Sequence, residues 1–508
     1  MNNLNKLYTF TFYTLWTIML FSSMILTCSF FTERIIAPKW YIGGITSCLF
    51  IILYLIGIGN NHKQQRHISL YPLILVCLII VSIECLWFIV YKTNLLLHSN
   101  AIPSFNYDNT AGLNACIIPA IPLALFLIKS HYHKQLSILF LVLLVITTIL
   151  SNSRLAWICI IMSFAITFSP KRLVPISLIV ILITIILTFT YKTNSSKGRF
   201  FIYQRTFEMI KEKPITGWGH NGFRKNYMIF QAKYFKTHHN IDNELLADTI
   251  RHPLSEFLLI AVNYGVIAAI IVIFAIIAIF WYINKNLNSS SYLGGLILAN
   301  LFILSLFSYP LTYFISWLYL FFSIYIVFAP SINFIVNKIK YFLIVACAIC
   351  MICITENLQK ELEWGKATNF AMKGNRDKAT NLYRHLSSWG KENPFFIYNF
   401  ASLEYGNGNY DEAVILAREC QKLISDYDLE LLLGDIYFSK SMYKESFKHY
   451  QLAHFMVPNR LAPLYGMYQI AKNTNNLVLE KRIRIIVRHF NIKIKSKETL
   501  FYLHLMET

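Results

Sequence analysis

Apolar runs of roughly 18 residues or more, the length an α-helix needs to cross the hydrocarbon core of a bilayer, recur about eleven times between Tyr8 and Ile354. A water-soluble core has no room for so many uninterrupted apolar helices. The pattern implies an all-α fold, a polytopic transmembrane helical bundle of about 11 spans, over residues 1–355. Spans are expected near Tyr8 to Phe30, Trp40 to Ile58, Leu70 to Tyr91, Gly112 to Ile128, Leu136 to Leu150, Leu155 to Phe168, Leu173 to Tyr191, Leu254 to Tyr282, Tyr292 to Phe307, Thr312 to Phe328 and Tyr341 to Ile354. The first has only Lys6 ahead of it and no small-residue cleavage site, so it reads as a retained helix. With 56% hydrophobic and 14% charged residues, the composition agrees with a membrane protein.

The formal charge of +20 does not point to nucleic acid. Up to Thr355 there are 25 Lys+Arg against 9 Asp+Glu, and beyond it 21 against 17. The excess flanks the spans, as cytoplasmic loops of membrane proteins require. One alternate set of short loops holds ten cations, namely Lys6, Lys63, Arg66, Lys129, Lys134, Lys171, Arg172, Lys285, Lys338 and Lys340, and the other holds four, Arg34, Lys39, Lys92 and Arg154. The richer set is expected in the cytoplasm with the N-terminus. The polar loop 191–253 and the C-terminal tail then both face outward.

Nine of the ten cysteines fall in apolar spans, where a free thiol acts as a small hydrophobe. Cys347, Cys350 and Cys353 have a metal-like spacing but no His or Asp nearby, so packing is the expected role.

Residues 356–508 form a second, soluble domain with internal repeats. Gly374-Asn375-Arg376-Asp377-Lys378-Ala379 matches Gly408-Asn409-Tyr410-Asp411-Glu412-Ala413 at a spacing of 34, and Ser441-Met442-Tyr443-Lys444-Glu445-Ser446 follows 33 later. This period fits a tetratricopeptide-like (TPR-like) α-solenoid, a scaffold suited to a protein partner. The basic run Lys481 to Lys497 reads as a solvated capping helix in preference to a lipid-headgroup contact.

The polar loop carries eleven basic and five acidic residues between Tyr191 and Pro253. Arg199 and Arg205 lie six apart, off a common face, whereas Arg199 and Tyr203 share one. Arg154 stands at the mouth between two spans, where a cation is costly unless it is paired, snorkels to water or serves an anion. His252, before Pro253, could act as a general base or be an ordinary helix-start residue, with Glu256 one turn on to orient it or cap the helix. Gly217-Trp218-Gly219 reads as a sharp turn. Glu84, within the third span, is expected to pair with a nearby Arg. The only Asp-x-Asp, Asp426-Tyr427-Asp428, sits in the repeat tail and does not support a metal-bound nucleotide-sugar site, and no Walker sequence is present to bind ATP.

In this order the elements resemble the O-antigen ligase superfamily, which includes O-antigen polymerases and bacterial protein O-oligosaccharyltransferases. The resemblance rests on Phe105-Asn106-Tyr107-Asp108-Asn109-Thr110-Ala111-Gly112, on Ser153-Arg154 with Trp157, on Gly198-Arg199 with the turn from Pro214 to Gly219, and on His252 to Gly265. It implies transfer of a glycan from a polyprenyl diphosphate to a hydroxyl on a lipid or protein acceptor, with no metal and no cofactor. The diphosphate-binding arginines would map to Arg154 and Arg199, and the general base to the His252 region. Arg205, Glu256, Trp157, Tyr203 and Trp218 are the candidates for binding substrate around them. Where such proteins often show His-Pro-His-Asn-Glu, this chain has His252-Pro253-Leu254-Ser255-Glu256. The base is then His252 shifted by two residues, or lies elsewhere, or is lost. A reading of another class is a non-catalytic scaffold or glycan-lipid transporter.

Overall fold

The computed structural model describes residues 2–57, 69–93, 106–168, 193–286, 288–490, 492–493 and 496–507, with isolated positions between 175 and 186. Nearly all of the expected seventh span, with Lys63, Arg66, Lys171, Arg172 and Phe105, lies outside the described residues. The chain is all-α, with no strand among the described residues. It forms two compact units, one of Met1–Thr190 with Ile273–Leu362 and one of Tyr191–Val272 with Glu363–Thr508.

The first unit contains α1 (Asn2–Met24), α2 (Ala37–Gly57), α3 (Leu70–Thr93), α4 (Thr110–Ile117), α5 (Ala120–Lys129), α6 (Lys134–Ser151) and α7 (Arg154–Phe168). Among the described residues, seven helices are long and apolar enough to cross a membrane. The combined α4–α5 run is 83% buried and forms the centre of the bundle. Its Leu113, Cys116, Ile117, Ala120 and Ala124 have no exposed surface. Small side chains here let the flanking helices approach closely.

Asn109 caps α4, its Oδ1 accepting from the amides of Ala111 (2.8 Å) and Gly112 (3.2 Å). A Cβ on Gly112 would lie 2.6 Å from the Tyr313 ring and 2.8 Å from that of Tyr107, so only glycine lets these rings close over the helix start. Glu84 is fully buried, and its partner is not the arginine expected from the sequence. Asn106 Nδ2 donates to Glu84 Oε2 at 2.9 Å, while Lys39 Nζ donates to the Asn106 carbonyl and lies 3.8 Å from the Tyr107 ring centre. Asn106 thus links the two buried charges, through its side-chain amide to Glu84 and its backbone carbonyl to Lys39. The lysine comes from the preceding span, 45 residues earlier in the sequence, a pairing that no local spacing reveals.

The expected eighth span also changes. Leu254 is not helical, having φ of 56°, and Ser255 caps a short helix that ends before Gly265. The membrane-length helix begins only at Val266 and runs to Lys285. Just 11% of it is buried, so it lies at the edge of the bundle.

Residues Phe314–Met372 are helical throughout, yet this run reverses direction. A Cβ on Gly43 would lie 2.7 Å from Phe314 Cδ1, and one on the adjacent Gly44 would lie 3.2 Å from Ile354 Cδ1. Forty residues of straight helix would span about 60 Å, which two neighbouring glycines cannot bridge. Tyr54 and Tyr325 hydroxyls meet at 2.9 Å, so 314–325 runs alongside α2 and the chain returns past it afterwards. The two expected spans, Thr312 to Phe328 and Tyr341 to Ile354, are the two limbs of that run.

The second unit starts with α8 (Thr193–Glu212), α9 (Gly222–Thr237), α10 (Ile241–Leu246) and α11 (Glu256–Tyr264). Between Val266–Lys285, here α12, and the tail come α13 (Ser289–Phe307) and α14 (Phe314–Met372) of the membrane bundle. The tail then supplies α15 (Arg376–Gly390), α16 (Pro394–Gly406), α17 (Tyr410–Gln421), α18 (Tyr427–Ser439), α19 (Tyr443–Met456), α20 (Ala462–Asn473), α21 (Leu477–Arg488) and α22 (Lys497–Glu507). Sequence neighbours pack in pairs, α16 on α17, α18 on α19 and α20 on α21. Tyr450 slots between Gly434 and Gly466, where any Cβ would collide with its ring, and its hydroxyl donates to Asp435 at 2.7 Å. The tail also packs on the polar loop, because α19 lies against α9.

Candidate active site

The polar loop is organised by two glycine-bearing stretches that are far apart in sequence. Trp218 N donates to Val262 O (2.8 Å), Gly219 N to Asn263 O (2.9 Å) and Val266 N to Pro214 O (2.8 Å). Asn263 Oδ1 in turn accepts from Phe223 N at 3.0 Å and holds the start of α9. Gly217, Gly219 and Gly265 have φ of 65°, 82° and 89°, a region that side chains disfavour. Backbone meets backbone here, since a Cβ on Gly265 would strike Ile215 O and one on Gly217 would strike Asn263. This clasp fixes the end of α8 against the start of α12.

Trp218 serves the same clasp. Its indole N–H donates to Met209 O at 2.9 Å, its ring packs edge-on against Phe230 and Lys213 Nζ sits 4.3 Å above it.

On the other side of α8, Arg199 hydrogen-bonds to Tyr203 one turn on, and the Tyr203 hydroxyl donates to Leu254 O at 3.4 Å. Burial pushes the Tyr203 phenol above its ordinary value and Arg199 partly offsets the rise. Leu254 N donates to His252 Nδ1 at 3.0 Å. An amide can only donate, so Nδ1 is the acceptor nitrogen and the neutral ring carries its proton on Nε2. Nε2 faces Glu256 Oε2 at 3.7 Å, longer than a hydrogen bond but within ion-pair range. Both side chains are largely shielded, at 15% and 9% exposure. Arg199, Tyr203, His252 and Glu256 therefore form one linked group around the left-handed Leu254.

Arg205 points elsewhere. It is 6% exposed, donates to Glu208 Oε1 at 2.8 Å and stacks 4.0 Å from the Tyr234 ring centre. Its cation belongs to the α8–α9 interface. Arg154 and Trp157 belong to the membrane unit, at the start of α7, where Trp157 Nε1 donates to Thr148 O at 3.4 Å and its ring is 49% exposed.

The tail reaches this loop through contacts that the sequence did not signal. Arg251 binds Asp426, Ser425 N donates to Arg224 O at 3.1 Å, Gln231 Nε2 donates to Met456 O at 2.6 Å, and Asn459 Nδ2 donates to the carbonyls of Glu244 and Ala247. Asp426 of the Asp-Tyr-Asp stretch is a helix cap and a partner of Arg251. Among the described residues no three His, Cys, Asp or Glu side chains converge as a metal site.

Residues 139–273 match the family model described as O-Antigen ligase. The matched segment contains Arg154, Arg199, His252 and the whole clasp, and leaves out both the Asn106–Gly112 stretch and the tail. A search of curated proteins finds no match.

Proposed function

Because the segment holding this loop identifies the chain as a member of the O-antigen ligase superfamily, a multi-pass membrane protein with a glycosyltransferase-like function, we propose that it transfers a glycan from a polyprenyl diphosphate to an acceptor hydroxyl on the extracytoplasmic face, without a metal. The observation that carries this reading is the linkage of Arg199 to the His252–Glu256 pair through Tyr203 and Leu254. The guanidinium group of Arg199 would neutralise charge developing on the departing diphosphate. Glu256 orients the Nε2–H edge of His252, which leaves Nδ1 as the base. In the reaction the acceptor hydroxyl displaces the Leu254 amide from Nδ1 and gives up its proton there. Its oxygen bonds to the anomeric carbon as the carbon–oxygen bond to phosphate breaks. Attack opposite the leaving group inverts that carbon.

The tail, read as TPR-like, would hold a protein partner or acceptor beside the loop. Ligation to a lipid, polymerisation and transfer to protein share this chemistry. The test is incubation of the purified full-length protein with a polyprenyl-diphosphate glycan and each acceptor class in EDTA. Glycosylated acceptor with inverted configuration is the expected product. Retained configuration would reject the single displacement, and donor binding with no turnover on any acceptor would reject the transferase in favour of a scaffold or transporter.

A further inference from the structure

The penultimate helix α21 buries Ile483 and Val487 against the tail and leaves a different face open. At about 100° per residue, Val478 and Ile485 lie within about 20° of each other at the centre of that face. They are 80% and 59% exposed. Lys481 and Arg488 flank them on one side and Arg482 on the other, all exposed, with Leu477, at 66% exposure, beside the first pair. The helix's one acidic residue, Glu480, is turned away and binds Arg484 at 3.2 Å. An aliphatic ridge bordered by cations, with no carboxylate among them, is the pattern of a helix lying in a membrane interface. A solvated capping helix has no need of Val478, Ile485 and Leu477 in water.

We propose that this face of α21 docks on an anionic phospholipid surface, with Leu477, Val478 and Ile485 among the upper acyl carbons and Lys481, Arg482 and Arg488 on headgroup phosphates. The occupant follows from the charge of the face, whose cations border an aliphatic ridge and complement anionic headgroups. The inference is independent of the transfer reaction.

The test is hydrogen exchange of the full-length protein in nanodiscs of phosphatidylcholine, in nanodiscs with one quarter phosphatidylglycerol, and in neutral detergent micelles. Amides of 477–489 are expected to exchange about fivefold or more slowly in the anionic nanodiscs than in the neutral ones, and this difference should shrink at high salt. The triple variant K481E/R482E/R488E and the double variant V478S/I485S should each abolish it while exchange in α18 and α19 stays as in the unmodified chain. Equal exchange in both nanodiscs overturns the proposal. So does full protection in micelles, which would mean that the chain itself covers the face.

Discussion

Arg251 and Asp426 join the loop to the tail, with Nη2 and Nε of the guanidinium 3.0 and 3.3 Å from one carboxylate oxygen. The other oxygen accepts from Asp428 N at 3.0 Å and caps α18. Arg251 is 47% exposed and Asp426 only 7%, so solvent screens the arginine's share of the pair. Arg251→Ala should therefore cost at most about 1 kcal/mol, whereas Asp426→Ala also removes the cap and should cost about 1–3 kcal/mol. Thermal unfolding of the solubilised protein checks this ranking. Equal losses would mean that the cap contributes nothing.

Gly265 and Gly219 share a left-handed backbone but differ in the space around them. A Cβ on Gly219 meets nothing within 4 Å, while one on Gly265 meets the Ile215 carbonyl. Gly219→Ala should cost about 1–2 kcal/mol of backbone strain. Gly265→Ala should open the clasp and lower the yield of folded protein, read by size-exclusion chromatography and loss of Trp218 fluorescence anisotropy.

Burial, with His239 nearby, holds the His454 imidazole down to about 4. In the unfolded chain the ring titrates near 6.5. Between these values the unfolded state binds a proton that the folded state refuses, so stability falls as pH drops from about 6.5 towards 4 and is unaffected by this group above that window. His454→Leu should flatten that part of the melting-temperature profile. An unchanged slope between pH 7.5 and 4.5 would show that the ring titrates normally.

Lys39 and Glu84 are buried together around Asn106 in the membrane unit. Lys39→Met leaves a carboxylate with its counter-charge gone and should cost about 3–5 kcal/mol. The double variant Lys39→Met with Glu84→Gln should recover much of this, since the amide can still meet Asn106. Melting in detergent distinguishes the two, and a strictly additive double variant would mean that the charges do not interact.

Under the proposed reaction, Arg199→Ala should reduce transfer about 10²–10³-fold and Arg199→Lys less. His252→Asn is the sharper change, because an Asn oxygen can accept from the amide two residues on and keep the turn but cannot take a proton. It should fold normally and lose activity by about 10²–10⁴-fold. Full activity in His252→Asn would reduce the imidazole to a turn-former.

The membrane helices and the polar loop between them are legible in the sequence because hydropathy is a local property of about 20 residues. The Arg199–Tyr203 pair is legible for the same reason, as one turn of helix. The clasp is not, because Gly217 and Gly265 explain each other only once their backbones touch. Nor is the partner of Glu84, since a lysine bound through an intervening asparagine has no spacing signature. Nor is the bond from the Trp218 indole N–H to the Met209 carbonyl, since a tryptophan in sequence does not say where its N–H goes.

The bond from Gln231 to the Met456 carbonyl spans 225 residues, and this distance has a consequence for biogenesis. At ribosomal rates of synthesis the polar loop emerges about 10–45 s before the helix that packs on it. During that interval α9 lacks the cover that α19 provides. A nascent chain stalled or truncated ahead of α18 should therefore present the uncovered side of α9 to proteases.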